Sequence, residues 1–192
     1  MKRLVVASTN AGKIREVSLA LSDLAEWSVE SLPDLADLEE TGTTFLENAR
    51  LKAAHYSRFL EGLVLADDSG LCVHALDNRP GVHSARYAPS TTERNERLMG
   101  ELAALGDDAD RSAAFYCAFA LARAGAIVWT VQSQLSGRIA AEAAGDFGFG
   151  YDPIFFVTDI QKTLAQMSST EKNQVSARGR ALRELRTFLL AQ

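Results

Sequence analysis

Short apolar runs, each bounded by polar residues or glycine, recur along this chain. Leu4-Val5-Val6-Ala7 and Leu63-Val64-Leu65-Ala66 have the length and the aliphatic residues typical of strands buried in a sheet. Two longer runs flank the connection Arg123-Ala124-Gly125, which predicts a β-hairpin. The predicted strands lie at residues 3–7, near 27–29, and at 63–66, 113–124, 126–139 and 153–157.

Between these strands, apolar residues recur at intervals of three and four, which is the period of a helix with one buried face. Residues 12–24 follow this period. A second helix is predicted from Phe45 to about Leu60. Thr43 or Thr44 would cap it, with Glu47 placed for a capping box. The other predicted helices are a third, capped by Thr91 or Thr92 and running to about Leu105, and a final one capped by Ser169 or Thr170.

Strands that alternate with helices, together with one long hairpin, predict an α/β fold with a mixed β-sheet flanked by helices. A chain of 192 residues fits a single domain, residues 1–192. Polar segments follow the strands that end at Ala7 and Ala66, and another precedes the strand that begins at Pro153. Because α/β sheets bind ligands at strand ends, we expect these segments to meet at one cleft.

The charge and the cysteines narrow the class of protein. A net charge of −5 argues against a general nucleic-acid binder and is compatible with a small anionic ligand. No apolar stretch reaches the roughly 18 residues of a membrane span, and the first apolar run is too short for a signal peptide. Cys72 and Cys117 lie in apolar runs and are expected to be buried free thiols. We therefore expect a cytoplasmic protein with no membrane partner.

The segment between the first strand and the first helix is a candidate phosphate site. Backbone N–H groups at a helix N-terminus favour an anion, Gly12 lets the backbone approach it, and Lys13 adds a charge. The segment lacks the spacing of a Walker A loop, so a capped helix with a solvated lysine is an alternative. The candidate residues are Ser8, Thr9, Asn10, Ala11, Gly12 and Lys13.

Two adjacent pairs of acids, Glu39-Glu40 and Asp67-Asp68, are candidate metal ligands. Neighbouring carboxylates repel each other unless a cation lies between them. Mg²⁺ is usually held by one or two carboxylates together with water and substrate phosphates. Asp67-Asp68 directly follows a predicted buried strand, which favours a cleft over the alternative of a solvated turn.

Rings and glycines alternate in the segment from Phe147 to Pro153. Glycines let the backbone pass close to a flat ligand, and an aromatic ring stacks on a nucleobase. The alternative is a bulged strand end with its rings in the core. The glycines, the rings and Asp152 together favour a base-binding site.

Six ordered motifs across the whole chain resemble those of the inosine triphosphate pyrophosphatase family, the XTP/dITP diphosphatases. The resemblance implies an elongated mixed sheet with two lobes around a central cleft, usually in a homodimer. The motifs are Ser8-x-Asn10-x-x-Lys13, Glu40-Thr41-Gly42-x-Thr44-Phe45-x-Glu47-Asn48-Ala49-x-x-Lys52-Ala53, Ala66-Asp67-Asp68-Ser69-Gly70-Leu71, Pro80-Gly81-Val82-x-Ser84-Ala85-Arg86-Tyr87, Gly148-Phe149-Gly150-Tyr151-Asp152-Pro153-Ile154-Phe155, and Glu171-Lys172-Asn173-x-x-Ser176-x-Arg178.

The resemblance also implies roles for individual residues in Mg²⁺-dependent hydrolysis of a deaminated purine nucleoside triphosphate to the monophosphate and pyrophosphate. Glu40 and Asp68 would bind Mg²⁺, and Asp68 would accept a proton with Asp67 assisting. Lys52 would join the Ser8–Lys13 segment on the triphosphate. The remaining substrate contacts would come from Ser69, from the base and sugar pocket of Phe149, Gly150, Tyr151 and Asp152, and from Lys172 and Arg178 over the purine.

One departure from the family pattern affects the base site. Ala177 stands between Ser176 and Arg178, where the family has a histidine that contacts the base. Two alternatives stay open. The related septum-associated nucleotide pyrophosphatases act on other bases, and the Phe149 motif argues against them. A nucleotide-binding regulatory protein without turnover is favoured by Ala177 and disfavoured by the intact acids and Lys13.

Overall fold

In the computed structural model, which describes residues 1–31 and 38–192, the apolar runs form a seven-stranded sheet with the order β2-β1-β3-β4-β5-β6-β7. β1 pairs in parallel with β2 and β3, whereas β5, β6 and β7 pair antiparallel. The predicted α/β fold with a mixed sheet is therefore confirmed. The strands are β1 Lys2–Val6, β2 Trp27–Ser31, β3 Leu63–Val73, β4 Ser112–Arg123, β5 Ala126–Ile139, β6 Phe155–Val157 and β7 Lys162–Thr163.

Strand β3 is longer than the sequence predicts. It continues through Asp67 and Asp68 to Val73, so the prediction that the two aspartates end a strand is wrong. β1 pairs with β3 only as far as Leu65, opposite Val6, while β4 is hydrogen-bonded to the other side of β3. The aspartates thus lie just beyond the carboxyl end of β1, in a strand that β4 supports.

The last predicted strand is shorter than expected. It begins at Phe155 instead of Pro153. The backbone N–H groups of Ile154 and Phe155 both donate to the carbonyl of Tyr151, at 3.1 Å, which makes the preceding residues a turn. The predicted hairpin is confirmed, with Ala124 and Gly125 at φ 49° and 83°, the positive values of a two-residue turn.

The helices are α1 Ala11–Ala20, α2 Phe45–Tyr56, α3 Thr91–Ala103, α4 Ser169–Val175 and α5 Ala177–Leu190. The predicted capping box of α2 is confirmed between Thr44 and Glu47. α1 and α2 both end four residues before the expected ends at Leu24 and Leu60. Within the described residues, no helix has both the length and the apolar composition needed to cross a membrane.

Two predicted caps are wrong. α3 is capped by Ser90, which forms a capping box with Glu93, and not by Thr91 or Thr92. The predicted final helix is two helices. Ser168 caps the first of them, and the extended backbone of Ser176 at ψ 155° ends it. In both cases the serine lies one residue before the predicted cap, and a glutamate three residues after it completes the box.

The chain divides into two compact units, each made of discontinuous segments. The first unit contains Met1–Asp68, Cys117–Ser133 and Arg178–Gln192, and the second contains Ser69–Tyr116 and Gln134–Ala177. Leu4, Val64 and Phe119 are fully buried in the first, and Leu71, Leu98 and Phe155 in the second. The single domain over residues 1–192 stays a prediction. Cys72 and Cys117 are buried free thiols, as predicted.

Candidate functional site

The predicted phosphate segment forms the N-terminus of α1. Asn10 caps the helix, and its side-chain oxygen accepts hydrogen bonds from the backbone N–H groups of Gly12 and Lys13 at 2.9 and 3.1 Å. The Ser8 hydroxyl accepts one from the Asn10 N–H at 3.2 Å. Thr9, Asn10 and Ala11 are exposed. The segment is therefore held in shape by its own side chains while it lies open to an anion.

Asp67 lies between two cations of the first unit. Its carboxylate is 2.8 Å from the Lys13 ammonium and 2.7 Å from the Arg178 guanidinium, which also contacts Glu16 at 3.1 Å. Burial raises the pKa of Asp67, but Lys13, Arg178 and Lys52 outweigh it and hold the pKa well below its ordinary value. A carboxylate with so low a pKa is a poor base, so Asp67 is suited to hold cations in place.

Asp68, the next residue in β3, behaves in the opposite way. Burial and the nearby charge of Glu40 raise the pKa of its carboxyl group, with burial the larger effect. Lys52 and a hydrogen bond from Asn48 lower this pKa, but the net shift is upward. The Asn48 amide donates to Asp68 at 3.0 Å. Adjacent carboxylates whose pKa values are shifted apart are typical of an acid–base site, and Asp68 is the better proton acceptor.

Glu40 completes this cluster in the first unit. Its carboxylate is 2.5 Å from the Lys52 ammonium, and both side chains are more than four-fifths buried. Burial alone would lower the pKa of Lys52, but Asp67, Asp68 and Glu40 raise it. Within residues 1–31 and 38–192, no three His, Cys, Asp or Glu side chains are grouped to hold a metal. Two carboxylates that need further ligands from water and phosphate are the donor set that suits Mg²⁺.

A second cluster, in the second unit, is built on the predicted base-binding segment. Asp152 is buried and accepts hydrogen bonds from the backbone N–H of Phe149 and from Lys172, both at 2.7 Å. The Lys172 ammonium also lies 4.5 Å from the centroid of the Phe149 ring. Gly148 has φ +79°, and a Cβ there would lie 2.1 Å from an Asp152 oxygen. Glycine is therefore required for this turn to close on Asp152.

Tyr151 and Gly150 are anchored to the rest of the second unit. The Tyr151 ring is buried, and its hydroxyl donates to the backbone carbonyl of Ser84 at 2.9 Å. Asn95 of α3 donates to the carbonyl of Gly150 at 3.3 Å. These contacts fix the turn that presents Phe149. Tyr151 acts here through its anchoring of the turn.

The predicted site residues thus divide between the two units. The first unit holds Ser8 to Lys13, Glu40, Lys52, Asp67, Asp68 and Arg178. The second holds Ser69, Phe149 to Asp152, Lys172 and Ala177. Arg178, predicted to contact the purine, pairs here with Asp67 and Glu16, and its role towards the base stays a prediction. Ala177 is buried at the first position of α5.

Sequence reasoning gave no role to Asn48, which it named only within a motif, and did not single out Glu16 or Asn95. Glu16 lies three residues after Lys13 on α1, and Asn48 lies four residues before Lys52 on α2. Helical spacing placed both on the same face as a predicted site residue, which was the available signal. No signal pointed to Asn95, because its contact with Gly150 joins residues 55 positions apart.

Comparison with known proteins gives consistent matches over nearly the whole chain. The model of the Ham1 family matches residues 4–188. A dITP/XTP pyrophosphatase of Thermosynechococcus vestitus is 44% identical over 191 residues, which cover 98% of this chain and 95% of that protein. One of Gloeobacter violaceus is 45% identical over 185 residues, covering 96% and 93%. The solved HAM1 protein from Coxiella burnetii has a TM-score of 0.90 at 42% identity, covering 100% of both chains.

Proposed function

The chain belongs to the Ham1 family, and we propose that it is a Mg²⁺-dependent enzyme that hydrolyses ITP, dITP and XTP to the monophosphate and pyrophosphate. Its relatives named dITP/XTP pyrophosphatase support this activity. The observation that carries the proposal is the geometry of neighbouring carboxylates and cations in the first unit: Asp67 lies 2.8 Å from Lys13 and 2.7 Å from Arg178, Glu40 lies 2.5 Å from Lys52, and Asp68 accepts from Asn48 at 3.0 Å. Such an enzyme removes deaminated purines from the nucleotide pool.

Glu40 and Asp68 are the residues that would hold Mg²⁺. When bound, the ion would neutralise charge on the phosphate oxygens. These two residues fit Mg²⁺ because both carboxylates lie near Lys52, whose charge partly balances theirs. Substrate phosphates would complete the set of oxygen ligands.

In the proposed reaction, water attacks the α-phosphorus, and the bond from that phosphorus to the oxygen bridging the α- and β-phosphates breaks. Asp68, which Asn48 holds by a hydrogen bond of 3.0 Å, takes a proton from the water. Lys13 and Lys52 stabilise the negative charge of the triphosphate and of the departing pyrophosphate. Asp67 holds Lys13 in position for this task, 2.8 Å from the ammonium.

Selectivity for deaminated purines would come from the oxygen at position 6 of the base. Phe149 would stack on the purine, and backbone N–H groups, with Arg178 as the family resemblance implies, would donate to that oxygen. Adenine has an amino group there, which would leave these donors unpaired. Sites built to hydrogen-bond a substrate reject analogues that lack the partner by factors of about 10⁴.

The proposal extends to a homodimer that works in the cytoplasm. The family resemblance supports the dimer, and the two reduced, buried thiols suit a reducing compartment. Light scattering coupled to size-exclusion chromatography would give twice the 20.8 kDa mass of one chain. A single-chain mass at micromolar concentration contradicts the dimer.

A pyrophosphate-release assay tests the function. ITP, dITP and XTP should release pyrophosphate with Mg²⁺, far faster than ATP and GTP, and EDTA should stop the release. Asp68→Asn serves as the control for contaminating enzymes. Preference for a pyrimidine or another modified base would favour the septum-associated class, and binding of ITP without release would favour a regulatory protein.

A further inference from the structure

Asn48 links two segments that carry the candidate metal ligands. It lies on α2, is 1% exposed, and makes one hydrogen bond at each end of its amide. Its Nδ2 donates to Oδ2 of Asp68 at 3.0 Å, and its Oδ1 accepts from the backbone N–H of Gly42 at 2.7 Å. Gly42 lies two residues after Glu40, so the amide joins the segment that carries Glu40 to β3.

The two hydrogen bonds determine each other's direction. A backbone N–H only donates, so the Gly42 side of the amide must be the carbonyl oxygen. The NH₂ group then faces Asp68, whose carboxylate accepts. Aspartate at this position would set a third carboxylate against Asp68, and an apolar residue would leave the Gly42 N–H unpaired.

The segment that contains Gly42 leaves room for the side chain of Asn48. A Cβ on Gly42 would lie 2.5 Å from Asn48 Oδ1 and 2.8 Å from the Cβ of Glu47. Gly42 does not have a positive φ. The glycine is therefore needed to leave room for the amide, since its backbone conformation is open to any residue.

Lys52 lies one turn further along α2, on the same face as Asn48. It holds Glu40 at 2.5 Å, while Asn48 holds Asp68. One face of a single helix thus contacts both carboxylates. Groups that hydrogen-bond a metal ligand in this way orient it, and their removal usually weakens metal binding by about 10–100-fold.

We propose that Asn48 is a positioning residue, which orients the Asp68 carboxylate relative to the segment of Glu40 so that both can bind Mg²⁺. The inference rests on the proposed function, since it takes the two carboxylates as the metal ligands.

The test is Mn²⁺ binding, measured by the EPR signal of free Mn²⁺ in the presence of the α,β-methylene analogue of ITP, which is not cleaved. Asn48→Ala and Asn48→Asp should each weaken Mn²⁺ binding by about tenfold or more. In turnover of ITP, the Mg²⁺ concentration for half-maximal rate should rise by a similar factor. KM for ITP at saturating Mg²⁺ should change far less.

Thr44→Ala is the matched control. It breaks the capping box of the same helix without touching Asp68, so it should lower the melting temperature and leave Mn²⁺ binding unchanged. Gly42→Ala is a second variant, which displaces the amide from the other side and keeps Asn48. It should weaken Mn²⁺ binding as Asn48→Ala does, and it serves if the Asn48 variants fail to fold.

Unchanged Mn²⁺ binding in Gly42→Ala and in every folded Asn48 variant overturns the positioning role and leaves the proposed function intact. Equal weakening by Thr44→Ala also overturns it, because helix stability then explains the effect. If the wild-type complex binds no Mn²⁺ and ITP turnover needs no Mg²⁺, the metal dependence of the proposed function fails, and this inference fails with it.

Discussion

The ammonium of Lys172 lies over the ring of Phe149, 4.5 Å from its centroid. A cation on one face of an aromatic ring leaves the opposite face as the place where a purine base would stack. Because Lys172 also donates to the buried Asp152 at 2.7 Å, its ammonium is held on that face of the ring.

Replacing Phe149 should therefore weaken substrate binding. Base–aromatic stacking contributes about 1–3 kcal/mol, so Phe149→Ala should lower kcat/KM for ITP by about 5- to 150-fold. Phe147→Ala is the control, since that ring is two residues away and 64% exposed. Steady-state kinetics of both variants check this. Equal losses in the two would mean that Phe149 does not stack on the base.

Substitutions of the two neighbouring aspartates should have different effects, one on turnover and the other on stability. Asp68→Asn keeps an oxygen that accepts from Asn48, so the fold should persist while kcat falls by more than about tenfold, or 1.4 kcal/mol in barrier. Asp67→Asn removes the negative charge that Lys13 and the buried Arg178 share, and it should lower the free energy of unfolding by about 3–5 kcal/mol. Urea unfolding and pyrophosphate release, measured on both variants, give the comparison. A Asp68→Asn enzyme that keeps more than a tenth of its rate contradicts the role of Asp68 as base.

The two lysines of the first unit should act on the triphosphate and not on the base. Lys13→Ala and Lys52→Ala should each slow pyrophosphate release, because they remove charge that stabilises the transition state. Binding of inosine monophosphate, measured by calorimetry, should change little, since it lacks the β- and γ-phosphates. Lys2→Ala, in an exposed ion pair with Glu26, should change neither. If both substitutions weakened binding of the monophosphate as much as binding of the triphosphate, these lysines would not act on the β- and γ-phosphates.

Position 177 tests the altered base segment. One side-chain hydrogen bond contributes about 0.5–1.5 kcal/mol, so Ala177→His should widen the ratio of kcat/KM for ITP over GTP by about 2- to 12-fold. Ala177 is only 3% exposed, so the larger ring should also lower the melting temperature. An unchanged ratio in a folded variant would mean that residue 177 does not face the base.

The sequence predicted the family and the fold class better than the exact bounds and caps of the elements. Resemblance in six motifs identified the family, which the matches over residues 4–188 confirm. The capping box of Thr44 and Glu47 could be predicted because its two residues are three apart. Short-range patterns of this kind need no knowledge of the fold.

The course of β3 could not be predicted in the same way. Aspartate is disfavoured in strands, and two in succession indicate a turn. Here their charge is balanced by Lys13, Lys52 and Arg178, and Arg178 lies 111 positions from Asp67 along the chain. Neither this ion pair nor the break at Ser176 between α4 and α5 can be recognised from the neighbouring residues in the sequence.

The distance along the chain between Asp67 and Arg178 has a consequence for biosynthesis. A growing polypeptide that has not yet reached Arg178 already contains both aspartates. Of the two cations that pair directly with Asp67, it contains only Lys13. Any product terminated before that point would carry Asp67 with one of its two direct ion-pair partners. Premature termination even this late should therefore give an inactive, degradation-prone polypeptide, since the buried charge of Asp67 is fully paired only when the closing segment of the chain is present.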